Sequence, residues 1–446
     1  MSLLDSIRQK LYMYVTGKPG DQAKDSHSLR SSESTLMVQM LTILFTFVSS
    51  FLISRLIGAS SYGAYVYFFS WVGLFSVLAN IGLNQLAVRQ VSISLSRMES
   101  TTLRSFIKWS LLRVLFFSIT AGLIFYFIAP ILQIEDQYLR VLGFFAIAVL
   151  GINTLFQGYL AGAHEVVQSQ IPINLFRPAA VISLLLFGLY FKDDLNVEIA
   201  ILYGSIGIVA SLFYYLYLSW KKYLRIKLNN EGESNKPAWR ASSYYFFFLS
   251  LVSVLNSRAD LMLLGLLDTE EKVGIYNIAS RFTDFIPFTL VIANMVAGPL
   301  IAKYFEQNDR SRLNNFLPRL ARMNFLFSSL ILIFLLSSGN FILGFFGAVF
   351  KEAYPVLIII GFAQWFNVSM GSVGLLLNMS GNEKQALKMQ AMSAVVNIML
   401  DLILIPIYGI IGAAIATAIS LMLWNIGMVW ISRRKLNIKV TVFGKF

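Results

Sequence analysis

Gly409 to Ile431 reads GIIGAAIATAISLMLWNIGMVWI, twenty-three residues without one charged side chain. At ~1.5 Å of rise per residue such a run makes a helix of roughly 35 Å, enough to cross the ~30 Å hydrocarbon core of a bilayer. No water reaches a backbone there, so the segment must bond its own amides, and a helix does so. Similar stretches recur along the chain at 37–57, 63–83, 107–129, 139–161, 171–191, 198–220, 243–267, 274–298, 319–343, 355–379 and 386–406, giving twelve with 409–431. The composition agrees. Apolar residues make up 57% of the chain and charged ones 13%, with a mean hydropathy of +0.68, whereas about a quarter of a soluble domain is charged. The expectation is an all-α integral membrane protein with twelve transmembrane helices.

The net charge of +13 would suggest a nucleic-acid partner if it were spread evenly, and it is not. Of the 36 Lys and Arg, 24 fall on the side of the chain termini, three (Lys192, Lys272, Lys351) on the other side, and nine within or at the edges of the spans. That asymmetry is the positive-inside pattern, which places both termini in the cytoplasm and makes membrane lipid, not nucleic acid, the basic residues' partner. The first 20 residues lack a continuous apolar core, so no removable signal peptide is expected. Leu3, Leu4, Ile7, Leu11 and Tyr14 recur at helical spacing, which fits either an amphipathic surface helix or a disordered tail.

The longest polar interruption, Lys221 to Ser242, includes NNEGESNKP at 229–237. It divides the chain into a cytoplasmic tail (1–35), a six-helix lobe (36–228), a cytoplasmic linker (229–236) and a second six-helix lobe with a short basic tail (237–446). Six is even, so the halves enter the membrane in the same sense, as parallel repeats. Internal echoes support this: SWKKYLRIK at 219–227 parallels ISRRKLNIK at 431–439.

No chemistry of the enzymatic kind is visible. There is no Cys, no HExxH, no phosphate-binding loop and no GxGxxG, and the two histidines are His27 and His164. Neither a catalytic residue nor a metal site nor a resident cofactor is expected, and the short outer loops leave no room for a catalytic domain. What stands out is charge inside the spans, which costs several kcal/mol per residue unless it faces a wet or paired interior. The seventh span carries Arg258 and Asp260, the eighth Arg281 and Asp284, and the eleventh Asp401; Arg55 lies near the outer end of the first and Arg177 beside Pro178 in the fifth. Arg258 and Arg281 fall roughly 13 Å and 10 Å from the outer ends of their helices, counted at ~1.5 Å per residue. Buried arginines outnumber buried carboxylates, and planar guanidinium matches phosphate oxygens two at a time, so the favoured ligand is anionic. Structural ion pairs between neighbouring helices are the alternative. Asn80 in the second span and Asn174 in the fifth could hydrogen-bond sugar hydroxyls, or simply bond helix to helix.

Three blocks then acquire a shared meaning. SRLIGASSYGAY at 54–65 with ANIGL at 79–83, RADLMLLG at 258–265 with VGIYNIA at 273–279, and NIMLDLILIP at 397–406 running into GIIGAAIAT at 409–417 resemble the polysaccharide-transporter family of flippases, in the superfamily of MATE exporters and lipid II flippases. The resemblance covers about residues 36–435. It implies two six-helix lobes forming a V around a cationic cavity, and a flippase that takes undecaprenyl-diphosphate-linked oligosaccharide from the cytoplasmic to the outer leaflet of the bacterial inner membrane by alternating access. Arg258, Arg281, Arg55 and Arg177, with Asn80 and Asn174, are then the expected substrate contacts. Asp260, Asp284 and Asp401 are the candidates for coupling to H+ or Na+. Polysaccharide-assembly proteins are conceivable partners. A MATE-type exporter of organic cations and, more remotely, a membrane glycosyltransferase or polymerase stay open as alternatives.

Overall fold

The computed structural model describes residues 26–191, 195–223 and 236–444, so the proposed tail helix before residue 26 and nearly all of the 229–236 linker lie outside the described residues. All regular structure in the described residues is helical. In chain order the helices are α1 (Ser26–Asn80), α2 (Leu83–Ser96), α3 (Ser100–Ile128), α4 (Gln137–Gly162), α5 (Val166–Ile171), α6 (Arg177–Phe191), α7 (Val197–Tyr223), α8 (Lys236–Leu267), α9 (Glu270–Thr283), α10 (Phe285–Glu306), α11 (Arg310–Phe346), α12 (Tyr354–Ser369), α13 (Val373–Met379), α14 (Glu383–Tyr408) and α15 (Ile410–Ile431). Ten helices among the described residues are long and apolar enough to cross a membrane, or eleven when a bent pair in α10 is taken as one span.

The ten include one of 44 residues, Met37–Asn80, which as a single straight helix would run about 66 Å, more than twice the thickness of a hydrocarbon core. It contains one non-helical residue, Gly58, at φ 83° and ψ 173°. Only glycine adopts that backbone without strain. The point falls between the expected first and second spans. The expected eighth span, 274–298, is α9 joined to α10 across Asp284, and α10 bends by 47° between Met295 and Ala297. Pro299 explains the position, because it lacks the amide that would bond the carbonyl of Met295 and its ring crowds that same carbonyl. The expected tenth span, 355–379, is interrupted at Met370–Ser372, where Gly371 takes φ 71°.

The chain packs as two compact units, one of Ser34–Gly274 and one gathering Ile275–Phe446. In the first, α4 supplies a row of glycines against which neighbours lie. A Cβ on Gly143 would strike the Phe125 ring, one on Gly151 Ser118 and Ala79, and ones on Gly158 and Gly162 the backbone of Asn84 and Val88. Close approach through small residues is how helices associate when lipid removes the hydrophobic drive. Beside it sits an aromatic cluster, with Trp239 of α8 5.2 Å from Phe106 and 5.5 Å from Trp109 of α3. α8 is also tied to the turn between α1 and α2: the Ser243 hydroxyl donates to the Ile81 carbonyl, and Gly82 lies on the backbone of Ser243 and Phe247.

The second unit is centred on Ala297, Leu313, Val373, Leu376 and Leu377, and on Ile438 and Val440 from the C-terminal segment. After α15 a π-helical turn, Ser432–Leu436, leads the chain back over α11 and α12. The Lys439 amide donates to Asn314 Oδ1 (2.7 Å) and the Val442 amide to the Ser369 carbonyl (3.1 Å).

The surface completes the argument for a membrane. Phe127, Tyr190 and Phe341 are more than 70% exposed, while Asn153, Ser211 and Asp401 are fully buried. Apolar exposure on that scale needs an apolar solvent.

Candidate functional site

The site residues expected from sequence divide between the two units. Arg55, Asn80, Asn174, Arg177, Arg258 and Asp260 belong to Ser34–Gly274, and Arg281, Asp284 and Asp401 to the other. Arg55 is exposed, three residues before the Gly58 break. Asn80 is buried at the end of α1, where its Nδ2 donates to Thr154 Oγ1 (2.9 Å) and the Gly151 carbonyl (3.2 Å) while its Oδ1 accepts from the Asn84 amide (2.8 Å). Those bonds join α1, α2 and α4. They use the side chain's donors and one acceptor site within the fold.

Arg258 is exposed on α8 and Asp260 half-buried, with Ala259 buried between them. On α9, Arg281 is half-buried and its Nε donates to Oδ1 of the buried Asn277 one turn earlier (3.1 Å), whereas Asp284 is exposed at the junction of α9 and α10. Asp401 is fully buried on α14, with buried Asn397 and Ile405 a turn to either side. α14 packs along α15 there: a Cβ on Gly412 would meet the Leu404 carbonyl, and Ser393 Oγ donates to the Ser420 carbonyl (2.9 Å).

Arg177 has the most elaborate setting. It opens α6 directly after a π-helical turn, Pro172–Phe176, that contains Asn174. Pro172 lacks the amide that would bond the carbonyl of Gln168. α7 fastens the same stretch by its hydroxyls: Tyr215 Oη donates to the Ser169 carbonyl (2.6 Å) and Ser211 Oγ to the Pro172 carbonyl (2.8 Å). The Arg177 guanidinium lies over the Phe69 ring of α1, 4.4 Å from its centroid. Phe69 and Tyr65, one turn apart with rings 4.8 Å apart, wedge against Gly204 of α7.

Sequence reasoning missed Phe69, whose i, i+4 spacing from Tyr65 is the one signal the chain offered. It also missed Glu270, the first residue of α9. Its carbonyl lies against Gly63 of α1, Gly274 lies on Ala59 and Gly63, and burial raises the Glu270 carboxyl above the ordinary carboxylate range.

The profile of the polysaccharide biosynthesis protein family matches residues 28–305, and that of the MatE family residues 246–403. The probable low-salt glycan biosynthesis flippase of Haloferax volcanii is 24% identical over 403 residues, which are 88% of this chain and 80% of that protein. Among solved structures, an inward-facing multidrug resistance MATE transporter of the MOP superfamily superposes with a TM-score of 0.71 at 15% identity, over 90% of this chain and 98% of its own. The lipid II flippase MurJ in its inward closed conformation gives 0.68 at 16% identity, over 89% and 87%. At these identities the two structures establish a shared fold.

Proposed function

The chain belongs to the polysaccharide biosynthesis protein family, and from that premise we propose that it is a flippase carrying undecaprenyl-diphosphate-linked oligosaccharide from the cytoplasmic to the outer leaflet of the plasma membrane by alternating access. One observation carries the reading: a family match over 278 residues coincides with arginines set into membrane-spanning helices, Arg177 and Arg258 above all. An anionic head group is what such guanidiniums would select. The flippase from Haloferax volcanii supports the glycan class. In this reading the crossings number twelve, with Met37–Asn80 counted as two spans across Gly58 and α9–α10 as one. The same reading takes 36–228 and 237–446 as sequence repeats, although α8 packs with the first unit, and puts both termini in the cytoplasm in line with the positive-inside pattern.

In this reading Arg55, Arg177, Arg258 and Arg281 meet diphosphate or acidic sugar, and Asp260, Asp284 or Asp401 exchanges a cation. The experiment is transport of a defined lipid-linked oligosaccharide in proteoliposomes, with Arg258→Ala as the first variant. Loss of flipping in a folded variant supports the assignment, and unchanged flipping removes Arg258 from the site. A second reading, a cation-coupled exporter of small organic molecules, is favoured by the MatE match over 246–403. Cation-stimulated dye efflux would establish it.

A further inference from the structure

We propose that Arg177, Phe69 and the open space beside Gly73 form an oxyanion subsite within the first packing unit, built to seat the diphosphate of the lipid-linked substrate, with Phe69 as the residue that aims the guanidinium. The inference rests on the flippase reading for the identity of the ligand but not for the existence of the site.

An arginine in a membrane-spanning helix needs a compensating group, and the usual structural answer is a carboxylate. The group that the described residues place against this guanidinium is instead the face of a ring. Stacking engages the π-face of the guanidinium and leaves its in-plane N–H fork available, and that fork is the part that binds two oxygens of a phosphate at once. The fork is also held in place. Arg177 follows a π-helical turn fastened to α7 by Ser211 at the Pro172 carbonyl and by Tyr215 at the Ser169 carbonyl, and its own backbone lies against Gly207 of α7. π-helical turns recur at functional sites because they cost stability and re-aim side chains.

Room for a ligand comes from α1. Tyr65, Phe69 and Gly73 follow one another at four-residue spacing, so they form a single stripe along the helix. The first two positions carry rings, while a Cβ on Gly73 would meet no atom within 4 Å. The stripe therefore passes from the ring that carries the guanidinium to open space one helical turn further along. An anion-binding fork with open space along the same stripe suits a diphosphate, whose oxygens the fork takes two at a time.

Direct binding tests this without transport. The full chain, purified in detergent, is titrated with farnesyl diphosphate, and with farnesol and inorganic pyrophosphate as separate arms. Farnesyl diphosphate should bind and farnesol should not. Arg177→Lys should weaken binding by about tenfold or more, since a lysine can neither stack nor fork. Phe69→Ala should weaken it about threefold to tenfold, with Phe69→Trp restoring it, and Gly73→Leu should block it by filling the space. Pyrophosphate competing as well as farnesyl diphosphate would place the affinity in the oxyanion alone and still support the subsite. Arg177→Lys or Gly73→Leu binding like the unaltered chain, with unchanged thermal unfolding, would overturn it. If the diphosphate binds as described yet no lipid-linked glycan is flipped, the functional reading fails and the subsite stands.

Discussion

The amide of Val442 donates to the carbonyl of Ser369 across 3.1 Å, joining residues seventy-three positions apart. Ser369 is buried where α12 stops, so without this donor its carbonyl would sit in a protein interior with no helical partner. Val442→Pro removes that N–H and should cost about 1–3 kcal/mol, the penalty for a buried carbonyl left unbonded. Removal of residues 437–446 should cost more, because Ile438 and Val440 are also buried. Thermal unfolding in detergent measures both. A tail deletion as stable as the full chain would show that the segment is not part of the second unit's core.

Gly371 lies in the same break with φ 71°, and a Cβ there would come within 2.6 Å of the Val440 carbonyl. Gly371→Ala should therefore lose at least the ~1–2 kcal/mol of left-handed strain. If the C-terminal segment supplies the clash, the loss should be smaller when the substitution is made in the 437–446 deletion. Additive effects of the two changes would refute that coupling.

Glu270 predicts a pH dependence. Burial raises its carboxyl pKa, so the folded chain holds this proton more tightly than the unfolded one does. The contribution to stability is fully present below the ordinary glutamate range and is lost as pH rises through the raised folded value. Glu270→Gln, which stays neutral, should raise the melting temperature near pH 7–8, and the advantage should shrink as pH falls toward 4.5. A constant difference across that range would mean that the charge is not what matters at this position.

Asp260 and Asp284 are proposed to couple transport to a cation gradient. Replacing both with Asn should leave binding of the lipid-linked substrate largely intact while abolishing the response of transport to a proton or sodium gradient in proteoliposomes. Gradient-driven transport that persists in the double variant would leave Asp401, fully buried on α14, as the remaining candidate.

The spans were legible because a charge-free run of twenty residues has few soluble alternatives, and the 409–431 run corresponds closely to α15. Breaks inside spans were legible only in part. Proline announces the loss of a hydrogen bond, as at Pro172 and Pro299, but Gly371 says nothing of the carbonyl at Ser369 that Val442 satisfies. Arg281 and Asp284 look like a same-face pair when the helix is assumed continuous. In the structure Asp284 keeps helical backbone angles and its amide bonds the Ser280 carbonyl, but the Arg281 Nε turns back to Asn277, a choice that spacing alone does not encode. Arg177 was visible as a costly charge, whereas its partner Phe69 lies 108 residues earlier among many other phenylalanines. Asn80 shows the reverse limit: a polar residue in a span is conspicuous, but its bonds to Gly151 and Thr154 depend on how α1 and α4 meet, which no local pattern encodes.

The packing of α8 has a consequence for biosynthesis. The helix is encoded beyond the polar connector, yet Ser243, Trp239 and Gly265 close against Ile81, Phe106 and Tyr67 in the unit laid down first. A ribosome that has delivered the first six spans has thus supplied only part of that unit's interior. The Gly82 backbone and the Phe106 ring must wait in the bilayer until about residue 267 has been inserted, so early helices depend on late sequence to become stable. Separately expressed halves cut at the connector would leave the front half missing a helix it needs.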